Sequence, residues 1–284
     1  MSGLADDLRR LLDRGLAGSG PIVFLTGAGI SAESGIPTFR GEEGYWVVGS
    51  RQYRPEQLAT RAAFGAMPLE VWSWYLYRRA VCRAAQPNAA HRALVELEHG
   101  FHDRLVIITQ NVDGLHLRAG SLPHLTYQIH GNIDFMRHDD SGERTPVMLP
   151  ESVPIEWEKG RLPDDAIRDA LTHRESGLLG RPHVLWFDEY YDEELFRFES
   201  SLEVAAQASL LVVVGTSGAT NLPIQVAATA LKRGVPVIAL NRDENTAFAE
   251  LREFPNGHLE LGAACDLVPQ VTSYMMETGL DRLA

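Results

Sequence analysis

The sequence predicts an α/β fold: a doubly wound, mostly parallel sheet with a second, smaller module built from two insertions. Three observations carry this. Short, continuous apolar runs alternate with longer stretches of helical period along most of the 284 residues, the pattern of a parallel sheet covered on both faces. Those runs end in glycine or small polar residues, as strands do where they turn into helices. Two stretches stand outside the alternation. Residues 45–84 are rich in Trp, Tyr and Arg at helical spacing, and residues 132–182 are polar and interrupted by Pro146, Pro150, Pro154 and Pro163.

Taken in order, a helix is expected over Ala5–Ala17, then a buried strand over Ile22–Thr26. Helices over Pro68–Ala84 and Ala89–His99 precede strands over Leu105–Thr109 and Leu125–Ile129. After the polar stretch come a strand over Val184–Phe187, a helix over Glu193–Ala208 and a strand over Leu210–Val214. A helix over Leu222–Arg233, a strand over Val235–Leu240 and a helix over Leu267–Thr278 complete the alternation. Residues 1–44, 85–131 and 183–284 are assigned to the sheet domain, with 45–84 and 132–182 forming the small module.

Composition narrows the function. A net charge of −12 argues against binding a nucleic-acid backbone, which needs a basic footprint. It suits basic protein substrates or simply a solvated acidic surface. Cys82 and Cys265 are the chain's two cysteines, too few and too far apart for a disulfide framework or a cysteine metal cage. No apolar stretch reaches membrane-spanning length and the N-terminus has no apolar signal core, so a cytoplasmic protein without membrane contact is expected.

The chemistry gathers at the predicted strand ends. Ile22–Thr26 runs into Gly27-Ala28-Gly29-Ile30-Ser31-Ala32, a glycine-rich turn of the Rossmann-like type that lets amide donors approach a dinucleotide pyrophosphate. Ser34-Gly35-Ile36-Pro37 then breaks the helix that such a turn would continue, so the following loop, with Phe39 and Arg40, must fold over the ligand. Thr109-Gln110-Asn111-Val112-Asp113 follows the next strand. Asn111 and Asp113 there are open to two readings, helix caps or ligand contacts. His130-Gly131 ends another strand, as a base working near neutral pH or as a satisfied buried histidine. Gly215-Thr216-Ser217 and Asn241 occupy two further strand ends. The four edges after the glycine turn, with their small and polar residues, make one continuous ligand crevice.

The motifs GAGISAESGIPTFRG at 27–41, TQNVDGLH at 109–116, HG at 130–131, RPHVLWF at 181–187, VGTS at 214–217 and Asn241 together resemble the sirtuins, NAD-dependent protein-lysine deacylases. The resemblance implies a Rossmann-like domain and NAD as the consumed cofactor. The products are then nicotinamide and 2′-O-acyl-ADP-ribose, and the partners acyl-lysine proteins. By the same resemblance Gly27, Ala28, Gly29, Gly215, Thr216 and Ser217 hold the pyrophosphate and adenosine, Asn241 the adenosine ribose, and Cys265 lies near the adenine. Ala32, Phe39 and Arg40 belong to the cofactor loop, Gln110 and Asn111 orient the nicotinamide ribose, and Asp113 with the Ile30 backbone seats the carboxamide. His130 is the implied general base, and Phe187 lines the acyl-lysine tunnel.

Tyr75 and Arg78 lie three apart on one helix face. Phenol and guanidinium together make a carboxylate receptor, although an ordinary amphipathic helix would carry the same pair. The segment is similar to the Y-x-x-R region of the class III sirtuins, which prefer succinyl-, malonyl- and glutaryl-lysine, and Thr38 is also similar to theirs; acidic acyl groups are therefore expected ahead of acetyl. Two departures from the family stand out. Residues 132–182 hold no cysteine, so no zinc is expected; His138, Asp139, Asp140 and His173 match no usual zinc spacing, and the module must rest on packing of Ile133, Phe135, Met136, Val147, Leu149, Ile155, Trp157, Ile167 and Leu171. Asp188 stands where the family usually has glycine, bringing a negative charge to the tunnel mouth. An NAD glycohydrolase, an ADP-ribosyltransferase or a non-catalytic NAD or ADP-ribose sensor would use the same scaffold. Nothing in the sequence sets the oligomeric state.

Overall fold

The computed structural model describes residues 4–37, 46–48, 51–139, 144–244 and 246–280. The strands are β1 (Ile22–Thr26), β2 (Trp46–Val48), β3 (Arg51–Tyr53), β4 (Leu105–Thr109), β5 (Thr126–Gln128), β6 (Gly131–Arg137), β7 (Val147–Met148), β8 (Arg181–Val184), β9 (Leu210–Val214), β10 (Val237–Asn241) and β11 (Gly257–Leu261). Six of them form one sheet in the lateral order β11-β10-β9-β1-β4-β5, with every pairing parallel. Counted along the chain, that is the doubly wound order 3-2-1-4-5-6, whose crevice opens where the order reverses, between β1 and β9.

The apolar runs are continuous because both faces are covered. Ile22, Phe24, Leu105, Ile107, Leu210, Val212, Ile238 and Leu240 pack on helices Asp6–Leu16, Ala89–Phe101 and Ala264–Leu280. The intervening Val23, Leu25, Val106, Ile108, Leu211, Val213, Val237 and Ala239 pack on helices Phe198–Gln207 and Asn221–Lys232. Side chains that alternate between two buried faces leave no polar position to mark the strand period.

Differences from expectation have local causes. The expected strand at Val184–Phe187 is Arg181–Val184, and it pairs antiparallel with β6 in a separate sheet ordered β7-β6-β8. The sixth strand of the main sheet is instead β11, where His258 Nε2 and Glu260 Oε2 are hydrogen-bonded at 2.9 Å on the sheet edge. The helix expected over Glu193–Ala208 is two pieces, Glu193–Phe196 and Phe198–Gln207, because Arg197 between them adopts φ +54°. β10 starts after Pro236, which has no N–H for the ladder.

A second core joins the two insertions. Trp72, Trp74, Tyr75 and Leu76 of helix Pro68–Ala84 pack with Ile133, Met136, Leu149, Trp157, Ile167, Leu171, Val184 and Trp186. Of the expected packing set, Val147 and Ile155 are exposed and Phe135 is only partly buried. Polar groups replace them. Asp134 of β6 accepts from Arg79 Nε at 2.9 Å and from Arg83 Nε at 2.8 Å, clamping the helix to the sheet. This explains why the strand was invisible in sequence: its buried carboxylate is paid for by partners some fifty residues away.

Among the described residues no group of three or more His, Cys, Asp or Glu is arranged to hold a metal. The ends of the stretch meet in an ion-pair network. Arg137 Nε donates to Asp139 at 2.6 Å, and Arg181 donates to Asp139 at 3.0 Å and to Glu189 at 2.9 Å. The Arg181 guanidinium also lies 3.3 Å over the Trp186 ring. His138 and His173 meet through their rings, 4.9 Å between centroids, and Asp140 lies outside the described residues. Removing one partner orphans a buried charge. Glu189→Gln is therefore expected to lower stability on the order of 3 kcal/mol in urea unfolding, while dialysis against a chelator leaves the wild-type midpoint unchanged.

Candidate active site

At the carboxyl edge of the sheet lies a cleft of about 830 Å³. Its floor is where β1 and β9 release the chain together. Gly29 N–H donates to the Gly215 carbonyl at 2.7 Å, and the two backbones approach so closely that a Cβ on Gly29 would sit 2.5 Å from Gly215 Cα. Gly215 itself has φ +60°, a conformation costly for residues with a Cβ. The turn then forms a 3₁₀ helix, Ala28–Ser34, ended by Gly35 at φ +80°. This is the break read from Ser34-Gly35-Ile36-Pro37. The loop residues Thr38, Phe39 and Arg40 lie outside the described residues.

The structure brings most of the expected residues to this one wall. Ala28, Gly29, Gln110, Asn111, Asp113, His130, Gly215, Thr216, Ser217 and Asn241 line it, together with Tyr75, Arg78 and Phe187. Four residues are not on the wall. Gly27 lies beneath the turn, its N–H on Val214 and its carbonyl accepting from Asn111 Nδ2. Ile30 is buried in the core, its N–H bonded to Gly27 and its carbonyl held by Asn88 Nδ2 at 2.7 Å. Ala32 closes the turn by accepting from Gly35. Cys265 turns its thiol to Glu33, 3.7 Å away, and its neighbour Ala264 faces the cleft instead.

Sequence reading missed the polar scaffold that holds these groups. Asn111 Nδ2 donates to Gly27 and to Ser31 Oγ, and Ser31 Oγ donates to Asp113 at 2.7 Å. Asp113 also accepts from the Leu115 N–H at 2.8 Å, at the start of helix Leu115–Ala119, while it lines the cleft wall. Burial pushes its carboxyl pKa up. Gln110 is tied to Thr216 through Nε2 and to Thr220 through its oxygen. Ser31 and Thr220 follow no periodicity, and only the chain's return to one edge makes them partners.

His130 Nδ1 lies 2.9 Å from the Gln110 carbonyl oxygen. A carbonyl can only accept, so Nδ1 carries the hydrogen and the lone pair is at Nε2. Burial lowers its pKa to about 4, keeping the ring neutral at physiological pH. Across the cleft, Trp186 Nε1 donates to Tyr75 Oη at 2.9 Å. The phenol hydrogen is then left to donate elsewhere. Burial pushes its pKa up to about 12, so Tyr75 remains a donor. Arg78 lies 4.7 Å over the Trp74 ring, which keeps its guanidinium on the wall beside Tyr75.

Asp188 does not project its charge into the mouth. Its carboxylate accepts from the N–H groups of Arg61 and Ala62 at 2.7 and 3.2 Å, capping helix Arg61–Ala66. Asp188→Ala is expected to cost about 1 kcal/mol as a lost cap, read as a shift of the thermal midpoint.

The Sir2 family model matches residues 27–221, which spans the turn, both insertions and the Gly215 loop. The chain belongs to the Sir2 family. It is 40% identical over 233 residues, 82% of this chain and 86% of the relative, to an NAD-dependent protein deacylase of Leptospira interrogans. It is 39% identical over 235 residues to the mitochondrial NAD-dependent protein deacylase sirtuin-5 of Danio rerio, covering 78% and 74% of the two chains. A crystal structure of a Sir2 homologue in complex with NAD superposes with TM-score 0.77 at 33% identity, covering 99% of this chain and 97% of that one. In this Sir2 chain two features of the cleft fit such a dinucleotide. Asn241 Nδ2 is buried without a hydrogen-bond partner at the end of β10, on the wall, and the Gly29–Gly215 approach leaves the wall bare of side chains there.

Proposed function

We propose that this Sir2 chain is an NAD-dependent protein-lysine deacylase that prefers acidic acyl groups such as succinyl or malonyl. The observation that carries it is convergence: the glycine-lined turn, the neutral His130 and the Tyr75–Arg78 pair all open on one cleft. NAD, when bound, supplies the ribose that accepts the acyl group and the nicotinamide that leaves. Gly29, Gly215, Thr216 and Ser217 hold its phosphates on backbone amides and hydroxyls, and Asn241 offers its unpaired amide to the adenosine ribose. Asn111 and Gln110 position the second ribose, and Asp113 faces the carboxamide. His130 accepts a proton at Nε2. Phe187, exposed at the mouth, packs on the lysine stem, while Tyr75 and Arg78 take the acyl carboxylate by charge-assisted hydrogen bonds.

A turnover screen of acetyl-, malonyl-, succinyl- and long-chain acyl-lysine peptides with NAD tests this reading. Nicotinamide release that depends on peptide, fastest with the acidic acyl groups, is expected. Release at the same rate without peptide would identify an NAD glycohydrolase instead. No release with any peptide would leave a sensor.

A further inference from the structure

Both ring nitrogens of His130 are already engaged. Nδ1 donates to the Gln110 carbonyl, so the lone pair of the neutral ring is at Nε2. Nε2 lies 2.7 Å from the hydroxyl of Tyr191, with the two rings 5.8 Å apart and inclined by 29°. A lone pair can only accept, so the phenol is the donor. Burial pushes the phenol pKa up to about 12, and the hydroxyl keeps its hydrogen at neutral pH. The atom assigned to take the proton is therefore spent on a neighbour in the substrate-free protein. His130 lines the cleft, and Tyr191 is not among the described residues that do, so this neighbour is not itself placed to meet the substrate.

The phenol is firmly mounted. Its ring stacks on Phe198, 6.3 Å between centroids. Before it in the chain, Glu189 accepts from the Trp186 N–H at 3.0 Å and from Arg181 at 2.9 Å. After it, Asp192 accepts from the Leu195 N–H at 2.7 Å and from Arg144 at 2.8 Å. We propose that Tyr191 parks His130 in a resting position, an autoinhibitory contact that the ribose hydroxyl must replace at Nε2 before the base can work. This rests on the reading of His130 as the base. Because the phenol is anchored on both sides, the imidazole is the partner that moves. One hydrogen bond to Nε2 is exchanged for another, and no proton changes owner in the exchange. Tyr191 is thus a positioning residue: it acts through His130 and sets the fraction of the protein whose base is free.

Tyr191→Phe keeps the stacked ring and removes the hydroxyl. Nitrogen NMR of the isotopically labelled imidazole reads the bond directly, because a lone pair that accepts a hydrogen bond resonates upfield of a free one. In the substrate-free proteins the Nε2 signal should lie downfield in the variant. With saturating ADP-ribose, which carries the hydroxyl but no nicotinamide to lose, the Nε2 signals of the two proteins should coincide. By calorimetry ADP-ribose should bind the variant roughly 2- to 10-fold more tightly, since no bond to Nε2 has to break first. Signals that still differ with ADP-ribose bound would make Tyr191 a fixed structural partner and overturn the proposal. Equal signals in the substrate-free proteins, or ADP-ribose binding no tighter in the variant, would overturn it as well. His130→Asn separates the two readings. If it is inactive while the signals still differ in the ADP-ribose complexes, the parking alone is wrong; if it turns over normally, the base assignment falls and the parking with it.

Discussion

His130→Asn is expected to lower deacylation by about 10²- to 10⁴-fold, the usual worth of a positioned general base, while leaving NAD binding close to wild type. Asparagine can still donate to the Gln110 carbonyl, so the wall keeps its shape, but it offers no basic lone pair. The pH dependence follows from the same burial. With its pKa lowered to about 4, the ring is neutral from that pH upward. The acid limb of kcat/KM should therefore fall as pH drops through about 4, well below the 6.5 of an ordinary histidine, wherever the fold survives to be assayed. A limb centred near 6.5 would mean that the base is solvated or is another group. Equal NAD affinity with lost turnover assigns the effect to chemistry; parallel loss of both would assign it to a collapsed wall.

Arg78→Met should separate acyl groups. A hydrogen bond to a charged group is worth about 1.5–3 kcal/mol, so kcat/KM for a succinyl peptide should fall roughly 10- to 150-fold. The value for an acetyl peptide should stay near wild type, because methionine keeps the apolar stem that packs beside Trp74. Equal losses for both peptides would make Arg78 a packing residue. Tyr75→Phe should show the same selectivity to a smaller degree. Trp186 fixes the phenol oxygen as an acceptor, and the hydrogen removed by this change is the one available to an acyl carboxylate.

The alternation of apolar runs was enough to place β1, β4 and β9 to the residue, because a strand buried on both faces has to be apolar throughout. The glycine turn was equally legible: a close backbone approach admits only glycine, so the requirement is written in the residue type. Other elements carried weaker marks. β6 holds Asn132, Asp134 and Arg137, polar residues that contradict a buried strand until Arg79 and Arg83 arrive from another segment. β11 is an edge strand, and its polar face resembles a loop.

The residue types alone determined which chemistry was at hand: an imidazole, a phenol–guanidinium pair and glycine-lined anion sites, each at the end of a short apolar run. Only the tertiary structure decided how they work. Cys265 and Ile30 turned away from the cleft although their neighbours face it, and Asp188 spent its charge on a helix end. Tyr191, with no motif around it, reached His130 across 61 positions. A hydrogen-bond partner is chosen by distance in space, and periodicity reports only the face of an element, so contacts between elements had to wait for the fold.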